Sequence, residues 1–405
     1  MMLLGFFIAF LSCFVYAVEN MEDLSDMEYV TEDDYELTGE EIAEVINVSQ
    51  STIIRAKAAL VYDTKYQKIL YAKNIDEKLP NASTTKILTA IVAYENANMN
   101  DLVTISENAA RIGGSTIHLR KGNKVLLGDL MKGLLICSGN DAAVAIAEYV
   151  GGSVENFCNM MNQKAIELGA MSTHFVTPHG LDNEEHYTTA RDLSVFATYL
   201  LKIPYLAEIV DTQYTTIKID DNTRELRSTN EMLGIYPNAK GVKTGYTGKA
   251  GRCLVTAIES GDRELITVVL GCDTKKQRTS ESIWLIHYGY TEFEKVDIYQ
   301  KMKREFQIFV EKAAASSYQV NVMAEKYDVL PIGDVEKIEY SYQLEKDLVA
   351  PLEKGEKIGE ISVILEGKII DTLELKLPYA IRRKTILEYI TEIFKNQANY
   401  VTIVN

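Results

Sequence analysis

The sequence predicts a mixed α/β fold of the α+β kind, in which a helical subdomain interrupts an antiparallel sheet. A β-hairpin pattern comes first, with apolar residues over 57–62 and 68–71 on either side of a polar turn. Residues 83 to about 200 then have mainly helical periodicity, and after Gly241 the pattern changes towards strands. Strands at both ends of a helical region indicate an antiparallel sheet that the chain leaves and later rejoins.

The individual elements follow from the spacing of apolar residues. Helices are predicted over four runs, at 87–94, 127–135, 142–150 and 192–201. Strands are predicted at 242–244, 253–258 and 265–270, separated by turns at 247–249 and 260–262. A further helix is expected from Lys276 to about Tyr288.

A second, small all-β domain is predicted from residue 297 to residue 378. It has turns at 333–334 and 355–356 and strands at 361–365 and 369–375. Residues 379–405 are then predicted to form an amphipathic helix that begins near three basic residues at 382–384. Its apolar residues at 386, 387, 390, 393 and 394 share one face, which suits either packing on the same domain or contact with a membrane.

The first 50 residues precede the main domain, which is expected over 51–296. Residues 1–17 are almost wholly apolar and end in Val15-Tyr16-Ala17, which indicates a signal peptide. No Lys or Arg precedes Arg55, so a retained anchor stays open as the alternative. Lipid attachment at Cys13 matches the usual pattern poorly. Residues 18–50 are acidic and lack basic residues, so they are predicted to be a disordered linker.

Charge and cysteine content exclude some functions. The net charge of −16 over 405 residues opposes binding to nucleic acid. The hydrophobic content of 47% is ample for sizeable cores.

The four cysteines beyond residue 17 have no paired spacing, so neither a zinc knuckle nor a disulfide framework is indicated. Cys253 and Cys272 lie in apolar strand-like runs, where we expect buried free thiols.

A serine and a lysine at helical spacing are the first candidates for chemistry. Ser83 and Lys86 are three residues apart before a strong helical pattern, so both lie on one face, a turn apart. A neutral lysine can take the proton of a serine nucleophile, and a helix N-terminus and a second nearby cation both favour neutral lysine. By itself an S-x-x-K match is expected by chance about once or twice in 400 residues. If this match is a chance one, Ser83 is an ordinary helix cap.

Two further triplets strengthen this interpretation. Ser138-Gly139-Asn140 separates two predicted helices, a setting that alone is typical of a helix break. Lys243-Thr244-Gly245 lies on a predicted strand, where glycine suits a close backbone approach by a ligand. S-x-x-K, S-D-N and K-T-G occur together in β-lactamases and penicillin-binding proteins, and the three triplets appear here in that order.

With these triplets the chain resembles the low-molecular-mass penicillin-binding D-alanyl-D-alanine carboxypeptidases (peptidase S11). The resemblance covers about residues 50 to 295 and includes Gly114-Ser115, Gly122 and the segments 138–142, 177–182, 188–192 and 243–251. It implies a serine β-lactamase/D,D-peptidase-like domain, followed by the small β domain. It also implies a peptidoglycan pentapeptide substrate ending in D-Ala-D-Ala, with β-lactams as covalent inhibitors. An acyl-enzyme route needs no cofactor and no metal. The family's layout places the enzyme at the outer face of the cytoplasmic membrane, with the C-terminal helix in contact with it.

The resemblance also assigns roles to single residues. Ser83 is the nucleophile that attacks the penultimate D-alanine carbonyl, Lys86 accepts its proton, and Ser138 passes a proton to the leaving amine. The substrate-binding residues it implies are Asn140, Lys243, Thr244, Gly245, Tyr246 and Arg278. Among these, Asn140 binds the substrate amide and Lys243 and Thr244 bind its terminal carboxylate. The backbone N–H groups of Ser83 and Tyr246 form the oxyanion hole.

Three positions leave the resemblance open in detail. Arg278 matches a substrate-carboxylate arginine, but by pattern alone it is equally a surface cation on a helix. Tyr246 stands where some relatives have His, and Thr229 stands where some have Arg. Substrate preference near the oxyanion hole and one substrate contact are therefore expected to differ.

Other functions compete with this one. A class A β-lactamase would use the same serine and lysine with a water-holding glutamate, for which Glu184 and Glu185 are the candidates. A zinc peptidase would draw on His174, His179, Asp182 and His186, whose spacing does not match H-E-x-x-H. A penicillin-recognising module would be acylated without turnover. An endopeptidase or a transpeptidase would use the same serine on cross-linked or acceptor substrates.

Overall fold

The structure is a computed structural model that describes residues 53–403, with side chains through Phe394. It forms two compact units that divide between Thr291 and Glu292. The predicted signal peptide at 1–17 and the predicted acidic linker at 18–50 lie outside the described residues.

An antiparallel sheet of five strands forms the centre of the first unit. In chain order the strands of this unit are β1 (Ala58–Asp63), β2 (Lys68–Lys73), β3 (Leu102–Thr104), β4 (Lys124–Leu126), β5 (Tyr214–Ile219), β6 (Asn222–Arg227), β7 (Ala239–Thr247), β8 (Gly251–Ser260) and β9 (Arg263–Cys272). The order in the central sheet is β2-β1-β9-β8-β7. Because β1 pairs with β9, with Leu60 opposite Val268, the chain leaves this sheet and rejoins it as predicted.

Helices fill the region between β2 and β7 and follow β9. They are α1 (Lys86–Asn96), α2 (Glu107–Arg111), α3 (Leu127–Leu135), α4 (Asn140–Gly151), α5 (Val154–Glu167), α6 (Ala190–Leu201), α7 (Pro204–Val210), α8 (Met232–Ile235) and α9 (Lys275–Thr291). The four predicted helical runs and the helix expected near 276–288 are all present.

The central strands are buried on both faces. Nearly every residue of β9 is buried, because α6 and α9 both pack against it, and such strands read as continuous apolar runs. Cys253 on β8 and Cys272 on β9 are buried free thiols, as predicted.

Helix α1 places the first candidate lysine. Its residues 86–93 are all buried, because the helix passes through the core of the unit and not along its surface. Lys86 is the first residue of this helix and has no exposed surface at all.

The second unit is built from short antiparallel strands. They are β10 (Phe293–Asp297), β11 (Glu305–Phe309), β12 (Ser317–Asn321), β13 (Tyr327–Pro331), β14 (Glu339–Leu344), β15 (Lys357–Leu365) and β16 (Lys368–Lys376). β10 pairs with β13, β11 with β12, and β15 lies between β14 and β16. The unit begins at Glu292, ahead of the predicted start at residue 297, because β10 already belongs to its pairing.

A terminal helix, α10 (Ile386–Ile403), follows the strands of the second unit. Thr385 and Glu388 start it with a capping box, in which Thr385 N donates to Glu388 Oε2 at 2.8 Å and Glu388 N donates to Thr385 Oγ1 at 3.4 Å. The predicted apolar residues are exposed, at 80% for Ile386 and 67% for Phe394. Between residues 53 and 403 no single helix is long and apolar enough to cross a membrane. Helices α6 and α7 reach the required length and apolar content only when they are taken together, and the chain bends between them.

Candidate active site

Ser83 and Lys86 meet at the start of α1. Ser83 lies in a 3-10 turn, Ala82–Thr85, that leads directly into the helix. The Nζ atom of Lys86 is 2.8 Å from the Oγ atom of Ser83. Ser83 is partly exposed whereas Lys86 is fully buried, so a substrate reaches the serine while the lysine stays shielded from water.

Two further contacts of Lys86 bear on its protonation state. Its Nζ donates to Asn140 Oδ1 at 2.8 Å and to the carbonyl oxygen of His179 at 2.9 Å. The Asn140 amide is oriented by its own Nδ2, which donates to the Gly113 carbonyl at 2.8 Å. A neutral amine has two N–H donors and one lone pair. Since these two acceptors take both donors, the lone pair is left for the Ser83 hydroxyl.

The surroundings also favour the neutral form of Lys86. Burial lowers the pKa of Lys86 well below its ordinary value, and the charge of Lys243 lowers it further against the opposing effect of Asp141. The sequence predicted a second cation for this purpose, and Lys243 supplies it. Burial, which is the larger cause, was not foreseen.

Lys243 lies on β7, one of the two edge strands of the central sheet. It is 1% exposed, and its Nζ donates to the Thr244 carbonyl at 3.2 Å. Burial lowers the pKa of Lys243 to about 7, with Cys137 opposing the shift and the charge of Arg278 adding to it. The Oγ1 atoms of Thr244 and Thr229 are 2.8 Å apart.

Gly245 lets β7 approach the serine turn. A Cβ atom added to Gly245 would lie 3.0 Å from both the Asn81 oxygen and the Ser83 nitrogen. The group that lies close to this glycine is the turn that carries Ser83, whereas the approach of a ligand, which the sequence suggested, stays a prediction. This contact places the edge of β7 beside the candidate nucleophile.

Ser138 lies in the loop between α3 and α4, as predicted, with a backbone φ of +61°. Its side-chain oxygen is buried, and no described residue is its hydrogen-bond partner. An unpaired buried hydroxyl costs about 1–3 kcal/mol, so this group is available to bond with a substrate.

The segment 177–182 covers the other side of the serine turn. His179 provides the carbonyl that binds Lys86, and Gly180 has a φ of +86°. The Nε2 atom of His186 is 2.8 Å from Thr85 Oγ1, while its Nδ1 accepts from Val176 N. Nε2 is therefore the atom that carries the proton and donates to Thr85.

The residues on which the competing functions would depend have the following surroundings. Burial is the main cause that lowers the pKa of His179 to about 3 and that of His186 to about 4, so both rings are neutral and serve as packing and hydrogen-bonding groups. Among residues 53–403, no group of three or more His, Cys, Asp or Glu side chains is arranged to hold a metal ion. Glu184 and Glu185, the candidates for a β-lactamase water, are both exposed to solvent.

Arg278 and Tyr246 have different surroundings from each other. Arg278 lies on α9 but is 3% exposed, so it is not a surface cation, and its Nη2 contacts Glu231 Oε1 at 2.5 Å. Tyr246 is 52% exposed, with the Arg252 guanidinium 4.3 Å from the centre of its ring. Tyr246 follows Gly245 on β7 and is thus near the serine turn.

Several groups at the site were not recognised from the sequence. They are the carbonyls of Gly113 and His179, the positive-φ residue Gly180, and Glu231. Backbone carbonyls carry no residue-type signal, and Glu231 lies in no motif. The segment 177–182, which contains His179 and Gly180, is predicted to matter only through the family resemblance.

Fold and site together define a class of protein. A serine in contact with a buried lysine of lowered pKa, between an edge strand and the start of a buried helix, is the arrangement of an active-site-serine hydrolase that forms an acyl-enzyme.

Comparison with known proteins narrows this class. Residues 44–274 match the family described as D-alanyl-D-alanine carboxypeptidase, and residues 291–383 match penicillin-binding protein 5, C-terminal domain. The chain is 33% identical over 331 residues to D-alanyl-D-alanine carboxypeptidase DacF of Bacillus subtilis, spanning 78% of this chain and 83% of that one. It is 35% identical over 335 residues to D-alanyl-D-alanine carboxypeptidase DacC of Escherichia coli, spanning 78% and 82%.

A solved structure agrees with these relatives. Penicillin-binding protein 5 from Haemophilus influenzae superposes with a TM-score of 0.65 and 30% identity, over 83% of this chain and 100% of that one. The chain therefore belongs to the D-alanyl-D-alanine carboxypeptidase family and is a serine hydrolase.

Proposed function

We propose that this chain removes the terminal D-alanine from peptidoglycan pentapeptide stems through an acyl-enzyme on Ser83, and that β-lactams acylate the same serine. The observation that carries the proposal is the 2.8 Å contact between Lys86 Nζ and Ser83 Oγ, with both other lysine contacts made to acceptors. That arrangement gives the serine a proton acceptor, since the pKa of Lys86 is well below its ordinary value.

Acylation uses the groups around the serine turn. Ser83 Oγ attacks the penultimate D-alanine carbonyl as Lys86 Nζ takes the hydroxyl proton. The negative charge that develops on the carbonyl oxygen is stabilised by the backbone N–H groups of Ser83 and Tyr246. When the C–N bond breaks, the proton that Lys86 took from Ser83 passes through Ser138 to the amine, so that free D-alanine leaves and Lys86 is neutral again.

Deacylation repeats these steps with water in place of the serine. Lys86 takes a proton from the water, the hydroxide attacks the ester carbonyl, and the proton returns to Ser83 Oγ as the C–O bond breaks. The terminal carboxylate of the substrate is held by Lys243 and by the Thr244 hydroxyl, with Gly245 leaving room for the backbone approach. The Asn140 amide contributes to substrate binding from the opposite wall while it holds Lys86.

We also propose that the protein is exported, with residues 1–17 acting as a signal peptide, and works at the outer face of the cytoplasmic membrane. The exposed apolar residues of α10, together with the layout implied by the family resemblance, support membrane contact by this helix.

The experiment that tests the activity is release of D-alanine from diacetyl-Lys-D-Ala-D-Ala, with and without prior treatment by penicillin. We expect release that penicillin abolishes, and neither release nor penicillin labelling in Ser83→Ala. Ser316→Ala, which removes an exposed hydroxyl in the second unit, serves as the matched control. Labelling without release would instead favour recognition, endopeptidase or transpeptidase function, and persistent labelling of Ser83→Ala would remove Ser83 from the mechanism.

A further inference from the structure

The segment 229–231 lies against β7, the strand that supplies the residues proposed to bind the substrate carboxylate. Thr229 N donates to the Ile136 carbonyl at the end of α3, at 3.0 Å, and the Thr229 hydroxyl contacts Thr244 on β7. Glu231 follows directly before α8, and α8 packs against β7. The backbone of Glu231 is therefore fixed beside this strand.

The side chain of Glu231 contacts two residues of α9. Its Oε1 accepts from Arg278 Nη2 at 2.5 Å and from the Thr279 hydroxyl. The side chains of Glu231 and Arg278 are 6% and 4% exposed, so the ion pair is shielded from water. Burial raises the pKa of Glu231, but the Arg278 charge and the hydrogen bonds from Thr279 and Arg278 outweigh it. The pKa is lowered overall, so the carboxylate is charged at neutral pH.

The ion pair uses only part of the Arg278 guanidinium. A guanidinium has five N–H donors in a planar fork. The contact with Glu231 is made through Nη2, while Arg278 Nε is buried with no hydrogen-bond partner among residues 53–403. A buried donor without a partner is costly, so this edge of the guanidinium is available to a second acceptor such as a carboxylate.

Arg278 lies close enough to Lys243 for the two charges to interact. The Arg278 charge adds to the effect of burial, which lowers the pKa of Lys243 to about 7. The helix that carries Arg278 packs against β8, the strand next to β7 in the central sheet. The family resemblance implies that both cations bind the substrate, and their proximity suits one shared carboxylate.

We propose that Glu231 is a positioning residue for Arg278: its carboxylate holds one nitrogen of the guanidinium, so that the remaining donors face the terminal carboxylate of the substrate. The inference rests on the proposed function and deepens it, because it names the group that prepares the arginine for the substrate. An arginine side chain has many rotamers. Fixing it before the substrate arrives removes that entropy cost from binding.

Glu231→Gln tests this role, because it keeps the size and shape of the side chain and removes the charge that fixes the guanidinium. The readout is the ratio of two acylation rates, for benzylpenicillin, which has a carboxylate, and for its methyl ester, in which the carboxylate is blocked. Mass spectrometry of the intact protein measures both rates. We expect the ratio to fall by about tenfold, the lower limit for loss of a hydrogen bond to a charged group. A purely structural defect would slow both reactions equally and leave the ratio unchanged.

A double-mutant cycle shows whether Glu231 acts through Arg278. Arg278→Gln alone should lower the ratio by about tenfold to hundredfold. Adding Glu231→Gln to Arg278→Gln should lower it no further, because no guanidinium is left to position. Two independent contributions would instead multiply. The double variant also leaves no unpaired buried charge, which is the main threat to the stability of each single variant.

Glu231→Asp decides the question if Glu231→Gln does not fold. It keeps the charge of the ion pair but draws the carboxylate back by one methylene group. The guanidinium then follows the carboxylate or loses the contact, and we expect the ratio to fall in either case. An unchanged ratio in this variant contradicts the proposal.

Asp63→Asn is the matched control. Asp63 is buried and accepts from Arg263 Nε at 2.8 Å, at the end of the central sheet opposite to Gly245 and the serine turn. This variant also deprives a buried arginine of its charged partner, so it should lose stability in urea unfolding. Its ratio of acylation rates should equal that of the unchanged protein.

Three results would overturn the proposal: an unchanged ratio in folded Glu231→Gln, a raised ratio in that variant, or a loss in the double variant that equals the product of the two single losses. A failure of the proposed function is seen separately, as no D-alanine release from diacetyl-Lys-D-Ala-D-Ala by the unchanged protein. The penicillin ratio still tests the role of Glu231 in that case, since it requires acylation and not turnover.

Discussion

At the scale of single residues, the chemistry depends on the protonation of one amine. The Lys86 amine has three neighbours, and two of them, a carbonyl and an oriented amide oxygen, can only accept hydrogen bonds. Burial and the charge of Lys243 both lower its pKa well below the ordinary value, which favours the neutral form. The serine can then give up its proton to the amine.

Lys86→Arg tests this state because a guanidinium cannot lose its proton in a protein. We expect acylation by a fluorescent penicillin to slow by about 10²–10⁴-fold, the usual contribution of a positioned proton acceptor. Stopped-flow or quenched labelling measures the rate.

Lys132→Arg is the matched control for that substitution. Lys132 lies on α3 and pairs with Asp129 at 2.9 Å, away from the serine turn. Its acylation rate should equal that of the unchanged protein. A Lys86→Arg variant that acylates at the normal rate would exclude Lys86 as the proton acceptor.

At the scale of elements, the turn that carries Ser83 is held between two pieces of backbone. Gly245 of β7 contacts it on one side, and Gly180 contacts it on the other. A Cβ atom on Gly180 would lie 1.9 Å from the Ala82 carbonyl oxygen, and Ala82 itself has a φ of +48°. The position of the nucleophile is therefore set by backbone packing from β7 and from the 177–182 segment.

Gly180→Ala should displace this turn. The substitution carries a cost of about 1–2 kcal/mol for the left-handed backbone and about 1–3 kcal/mol more for overpacking against Ala82. We expect lower stability in urea unfolding and a reduced rate of penicillin labelling.

Gly152→Ala separates the two costs. Gly152 also has a positive φ, +74°, but a Cβ atom there meets nothing within 4 Å. This variant should lose only the backbone contribution and should label normally. Equal losses of stability in the two variants would show that contact with Ala82 does not matter.

At the scale of the whole molecule, the terminal helix α10 has an apolar face that is exposed along the described side chains. The basic residues at its start do not form a free cationic patch, because Arg382 pairs with Glu388 and Lys384 pairs with Glu392 at 2.6 Å each. With a net charge of −16, the protein is also repelled by anionic surfaces. Binding to lipid is therefore expected to be driven by apolar burial and to depend weakly on lipid charge.

Phe394→Asp should weaken the sedimentation of the protein with lipid vesicles, since it places a charge in the apolar face of α10. Phe309→Asp on β11 is the matched control, because Phe309 and Phe394 are both 67% exposed. With vesicles of zwitterionic lipid and with vesicles of anionic lipid, Phe394→Asp should bind less than Phe309→Asp. Equal binding by the two variants, or loss in both, would contradict membrane contact through this face.

Most of the fold could be predicted from the sequence, because the periods of 2 and 3.6 residues are local properties. The hairpin β1–β2, the helices α1, α3, α4 and α6, and the strands β7 to β9 all appear near their predicted positions. The start of the second unit was placed too late, since β10 is recognised only through its pairing with β13. The sequence predicted an antiparallel sheet that the chain leaves and later rejoins, but not that β1 is the strand that pairs with β9.

The amino-acid sequence by itself determined which residue types stand in the three triplets and in what order, and thereby the family and the candidates Ser83, Lys86 and Lys243. Only the tertiary structure decided their states. It buried Lys86 and Lys243 and placed the His179 carbonyl and the Asn140 amide on the lysine amine. It also paired Arg278 with Glu231. The physical reason is that protonation and charge pairing depend on burial and on neighbours distant in sequence, which local patterns do not contain.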